Sequence, residues 1–154
     1  MDPDLFPARI EKAAQLRRLG SWREAERMLR PYVDSPDPKL ANNCRLIFEM
    51  ASVYTDWYVN SPDDPNAQAI SKSAEQWFVK LLKINPQHAA GWLKRAELYA
   101  AAGQRAGNAK TLADARVWLA NAREILKKDT PETQLVAQKI ADAEKNMGKK
   151  EVHP

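Results

Sequence analysis

Residues 86–103, PQHAAGWLKRAELYAAAG, place a large apolar residue at Trp92, a small one at Ala96, an aromatic at Tyr99 and a glycine at Gly103. Steps of three and four are the period of one helix face. Pro86 cannot donate a backbone hydrogen bond and stops the helix before it, and Gly103 suits a helix end. The segment therefore predicts one amphipathic helix over about 88–102, bounded on both sides by chain breakers.

The same grammar extends outward. Upstream, Pro7 to Leu19 is a helical stretch closed by Gly20. A second begins after Ser21, with Glu24 three residues on as in a capping box, and carries Trp22, Ala25, Met28, Leu29 and Tyr32 on one side. The breaker run Asp34-Ser35-Pro36-Asp37-Pro38 separates it from a third stretch, about Leu40 to Val59. The turn 60–65 and the pair Asn85-Pro86 frame a fourth over 66–84, with Ala74, Trp77, Phe78, Leu81 and Leu82 apolar. Downstream lie a sixth over 111–128 and a seventh from Thr130-Pro131 to about Met147, with Leu135, Val136, Ile140 and Ala143 on one narrow stripe. No run alternates strictly as a half-buried strand does. The expected fold is all-α, with about seven helices.

The spacing in 86–103 resembles the first helix of a tetratricopeptide repeat, a motif of about 34 residues. Three degenerate repeats then cover 6–39, 44–86 and 87–129, followed by a capping helix at 131–147 and a flexible tail at 148–154, all in one domain over 1–147. Small residues recur where the two helices of each repeat approach: Ala13 and Ala25, Ala51 and Ala74, Ala96 and Ala115. The halves of the second repeat stand 11 residues further apart than the motif allows. About three helical turns absorb that number without rotating either apolar face. The resemblance implies antiparallel helix pairs stacked as a short right-handed α-solenoid, whose last pair needs a polar-faced cap.

Composition agrees with a globular helical protein. Of 154 residues, 44% are hydrophobic and 29% charged, with only five glycines. The net charge of +4 is uneven: +2 over 1–33, −4 over 34–65 and +6 over 66–154. Basic and acidic residues alternate, which reads first as a solvated helical surface. Cys44 is the only cysteine, which excludes an intrachain disulfide and fits a reducing compartment. The start Met1-Asp2-Pro3-Asp4 lacks the basic and apolar regions of a signal peptide, and no run is long enough to span a membrane. A cytoplasmic protein is expected.

The residues that enzymes and metal sites need are scattered. His88 and His153 are the only histidines, and one Cys with two distant His makes no zinc pattern. Gly103-Gln104-Arg105-Ala106-Gly107 has neither a preceding strand nor a following Gly-Lys-Ser/Thr, so it is no phosphate cradle. No catalytic residue, metal or cofactor is expected. Trp22, Trp77, Trp92 and Trp118 read as core. Trp57 with Tyr58, beside the acidic turn, reads as a candidate exposed aromatic patch.

In the repeat family the first helices line a concave groove that binds a peptide. Carried over, the resemblance places Ile10, Arg17 and Arg18 from the first repeat in that groove. Arg45, Phe48 and Ser52 come from the second, and Leu93, Lys94 and Glu97 from the third. The family's carboxylate clamp is not kept, because Ile10, Ala14, Glu49 and Ala90 stand where it needs Lys, Asn or Arg. The implied function is an adaptor or assembly factor that holds a peptide segment or partner protein. Alternatives are a dedicated chaperone of a secreted or assembling subunit, homo-oligomerisation, or an RNA-binding helical array using Arg17, Arg18, Arg23, Arg27 and Arg30.

Overall fold

The computed structural model describes the backbone of residues 6–152 and the side chains of residues 6–147. Eight helices follow one another: α1 (Phe6–Arg18), α2 (Trp22–Val33), α3 (Pro38–Ala41), α4 (Cys44–Asn60), α5 (Ala67–Ile84), α6 (Ala89–Ala106), α7 (Ala109–Leu126) and α8 (Pro131–Val152). No strand occurs among the described residues. The protein is all-α. Two compact units divide it, Met1–Pro86 and Gln87–Pro154.

In the first unit, α1 turns back into α2 through a Schellman closure. Gly20, at φ 81°, donates to the Arg17 carbonyl, and Ser21 donates to the Leu16 carbonyl. This left-handed position is open to glycine at no steric cost. The same closure explains why Ser21 does not cap α2 as its sequence suggests. Its backbone is held at φ −87° and ψ 64°, outside the extended region, and its hydroxyl makes no cap hydrogen bond.

The third sequence stretch is split in two. Asp37 caps the single turn α3, with Pro38 at its first position, and Asn43 caps α4 by accepting from the Leu46 amide. An Asn side chain that bonds the backbone locally restarts the helix more cheaply than it continues one. The long connection in the second pair is taken up by helix length: α4 and α5 have 17 and 18 residues, against 13 and 12 in α1 and α2.

Ala13 and Ala25 are fully buried, as are Ala51 and Ala74, so each pair packs with its backbones close. Leu29, Leu46, Met50 and Val53 share one core cluster with Ala13 and Ala25, with Phe6, Leu16 and Trp22 packed on the margin. Each fully buried leucine of this kind contributes about 2 kcal/mol.

In the second unit α6, α7 and α8 all touch one another. Ala96, Ala100, Ala115, Leu119, Val136 and Ile140 form the core. Gly103 does not end α6. The helix runs on to Ala106 and closes at Gly107, at φ 61°, which donates to the Gln104 carbonyl while Asn108 donates to that of Gly103. Gly103 instead sits where α6 crosses α7: a Cβ there would lie 2.7 Å from Leu112 Cδ2. Thr130 and Thr133 bond each other's amides reciprocally and cap α8. Arg116 of α7 pairs with Glu144 of α8 and holds that carboxyl below its ordinary range. Leu135, read as part of the buried stripe of α8, is 58% exposed, since it precedes Val136 by one residue and so lies off the face that Val136 and Ile140 share. The helix continues through the first five residues of the expected tail, to Val152; residues 153 and 154 lie outside the described residues.

His88 caps α6, its Nδ1 accepting from the Gly91 amide at 2.9 Å. Partial burial lowers its pKa from the ordinary 6.5, against a backbone hydrogen bond that raises it. Protonation also removes the acceptor lone pair. The folded pKa lies below the unfolded one, so the unfolded chain takes up the proton first. Stability is therefore full above about pH 6.5 and falls as the pH drops towards the folded value. His88→Asn keeps a capping acceptor without the titration. Thermal melts between pH 8 and pH 5 are expected to show a drop in the native chain that is reduced in this variant.

Candidate functional site

The first unit carries an open cleft formed by α2, α4 and α5. Helix α2 supplies Arg23, Glu26 and Arg27, α4 supplies Tyr54 and Trp57, and α5 supplies Ala69, Ile70 and Ser73 around a recess of about 400 Å3. A second recess of about 390 Å3 shares Arg23, Arg27 and Trp57 and is completed by Gly20 to Glu24 and Asp64. Arg23 and Arg27 are four residues apart, so helical geometry sets them on one side, one turn from each other. Tyr54 and Trp57 are three apart on α4, and their rings lie nearly parallel, 6.1 Å between centroids at 14°. The Arg23 guanidinium stands over the Trp57 ring at 5.7 Å.

Below them a polar network fixes the walls. Arg30 donates to Glu26 at 2.6 Å and to the Tyr54 hydroxyl at 2.9 Å. Burial pulls the Arg30 pKa down, but the hydrogen bond and charge of Glu26 outweigh it and leave the group raised. Burial, and then the charge of Glu26, push the Tyr54 hydroxyl up, so it stays protonated in the neutral range. The Trp77 ring carries two cations, Arg30 at 5.9 Å and Lys80 at 5.6 Å. The cleft thus offers cationic and aromatic surface on a braced scaffold, suited to holding an anionic or amphipathic group.

The residues expected in the groove meet different fates. Ile10 is 3% exposed and belongs to the core, because it lies on the same face of α1 as Ala13. Ser52 is 1% exposed and its Oγ makes no hydrogen bond among the described residues. Arg17 is clamped: its Nε donates to Glu49 at 2.6 Å and its Nη1 to Asp56 at 2.7 Å. That pairing neutralises the charge assigned to the groove. Arg18 and Arg45 are exposed, and Phe48 is half-buried. In the second unit, Leu93 packs on the Ala96 core, and Glu97 lies between Lys94 at 3.6 Å and Lys139 at 3.5 Å.

The expected Trp57–Tyr58 patch divides. Trp57 lines both recesses, whereas Tyr58 is 6% exposed, since neighbours along a helix point about 100° apart. Trp92 and Trp118, read as core, are half-buried and surround the Arg95 guanidinium together with Tyr99, at 5.8, 4.2 and 5.6 Å. Sequence reasoning named Arg23 and Arg27 only as members of an arginine series. Their four-residue spacing on the polar side of α2 was the available signal, but the aromatic wall across from them comes from residues some 30 positions away. Among the described residues no three His, Cys, Asp or Glu side chains are grouped to hold a metal, and no helix is long and apolar enough to cross a membrane. No family model matches the chain, and no curated protein or solved structure is significantly similar to it.

Proposed function

We propose that this chain is a tetratricopeptide-like binding module, an adaptor or assembly factor that holds a segment of another protein. The observation that carries the reading is the cleft of the first unit, where exposed arginines flank an aromatic wall supplied by α4. Interfaces favour this mixture, because Arg, Trp and Tyr combine large contact area with directed polar groups. The repeat reading is supported by the six interhelix alanines, Ala13, Ala25, Ala51, Ala74, Ala96 and Ala115, which recur at equivalent places and are all fully buried. Small residues there let paired helices approach, which is the packing such a repeat requires.

The test is affinity capture with the tagged full chain from its native cell extract, beside the Arg45→Ala/Phe48→Ala and Arg23→Ala/Arg27→Ala variants. The expected result is an abundant protein partner depleted by one of these variants, with unchanged helicity. A bait that retains only RNA, released by nuclease, overturns the reading.

A further inference from the structure

We infer that the α2–α4–α5 cleft reads an extended acidic peptide. Two carboxylates at alternate positions of the peptide meet Arg23 and Arg27, and an apolar side chain two residues further on, on the same face, seats against Ala69 and Ile70. The inference rests on the binding-module reading above and assigns its ligand class and site.

The first argument is charge. The other cations that brace the cleft walls are engaged: Arg30 with Glu26 and the Tyr54 hydroxyl, Lys80 with the Ala41 carbonyl. Arg23 and Arg27 differ. Both are exposed, both line the two recesses, and neither is in an ion pair among the described residues. A guanidinium in that state takes a carboxylate through two parallel hydrogen bonds.

The second argument is spacing. Side chains four apart on a helix stand about 5–6 Å from each other at Cβ. Alternate side chains of an extended segment stand about 6.6 Å apart and face the same way. A Glu-x-Glu or Asp-x-Asp segment therefore matches the two arginines without bending, and its intervening residue points away from the cleft. The recess, bounded by Trp57, Ala69 and Ile70, has room for one aliphatic side chain at the next alternate position of the peptide.

The third argument separates peptide from nucleic acid. Arg23 already stands over the Trp57 ring and Tyr54 lies alongside it, so a base could not stack there without displacing the arginine. Glu24, Glu26 and Asp64 also line the recesses. They repel a continuous phosphate chain but tolerate two localised carboxylates placed on the arginines.

The experiment is fluorescence anisotropy of the full chain with a labelled peptide, Gly-Ser-Glu-Ser-Glu-Ser-Leu-Gly. Comparison probes are the same peptide with Gln for both Glu, and an oligouridylate of eight nucleotides. Binding of the acidic peptide is expected to weaken with salt. It is also expected to weaken by roughly tenfold in Arg23→Ala/Arg27→Ala, as two charge-assisted contacts are lost. The exposed pair Arg9→Ala/Lys12→Ala removes the same net charge from α1 and is expected to leave binding unchanged. Equal affinity for the Gln peptide, equal loss in the α1 variant, tighter binding of the oligouridylate, or no binding at millimolar protein each overturns the inference. If the cleft variant still captures its protein partner from extract and the Arg45→Ala/Phe48→Ala variant does not, this assignment fails while the binding-module reading stands. A bait without any protein partner removes both.

Discussion

Arg17→Met is expected to lower the stability of the first unit by about 3 kcal/mol, the cost of stranding a buried charge. Arg17 joins α1 to α4 by reaching Glu49 and Asp56, two turns apart on α4. Burial opposes the charge on Arg17, and the hydrogen bonds to Glu49 and Asp56 overcome it and leave the pKa raised. Without the guanidinium, Glu49 remains almost wholly buried beside Asp56, with like charge and without Arg17's donors. Replacing both members of the pair by apolar groups removes the stranded charge, so Arg17→Met/Glu49→Leu is expected to recover more than half of the loss. Hydrogen exchange of the α1 and α4 amides in urea reads the effect in the unit concerned. A loss under about 1 kcal/mol for the single variant would show that water replaces the arginine at no cost, as it does for exposed pairs.

Gly103→Val is expected to cost the second unit about 3 kcal/mol or more through overpacking and a β-branched side chain in a helix. A Cβ at this position would meet Leu112 Cδ2 at 2.7 Å, Cγ at 2.8 Å and the backbone nitrogen at 3.2 Å. Leu112 is itself core, so the strain moves α7 away from α6. Gly103→Ala introduces the same overlap but gains about 1 kcal/mol of helix propensity, leaving a net loss of about 1–2 kcal/mol. Gly107→Ala provides the contrast. Nothing lies within 4 Å of its Cβ, yet φ is 61°, so its cost is a backbone term of about 1 kcal/mol. Thermal unfolding that ranks Gly103→Val below Gly103→Ala, with Leu112→Ala relieving the alanine variant, would identify the close crossing as the cause. A Gly103→Val variant that costs no more than Gly107→Ala would show that the crossing at Leu112 relaxes without strain.

These two cases also divide what local sequence carries from what it does not. The helical period, the turn at Gly20 and the proline start of α8 are legible, because each depends on residues within a turn or two of itself. Gly103 and Gly107 look alike in sequence. Only the crossing of α7, which brings Leu112 onto α6, makes the first an internal contact and leaves the second as the terminator. Ser21 departs from its capping pattern for a similar reason: the residue that opens one helix also closes the one before it, and the closure controls its backbone.

The candidate site was less legible than the fold. Motif position places Ile10 in the groove and nearness to the acidic turn places Tyr58 in an open patch, but packing buries both. Arg17 looked like a binding charge until residues 32 and 39 positions along the chain were seen to hold it. The amino-acid sequence by itself determined an all-helical chain and the course of most of its helices, since periodicity and chain breakers act over a few residues. Tertiary structure alone decided which charges are paired, which aromatic faces stay open and that Arg23 and Arg27 look across a cleft at Trp57. Those properties depend on side chains brought together from distant helices, and no local pattern encodes that distance.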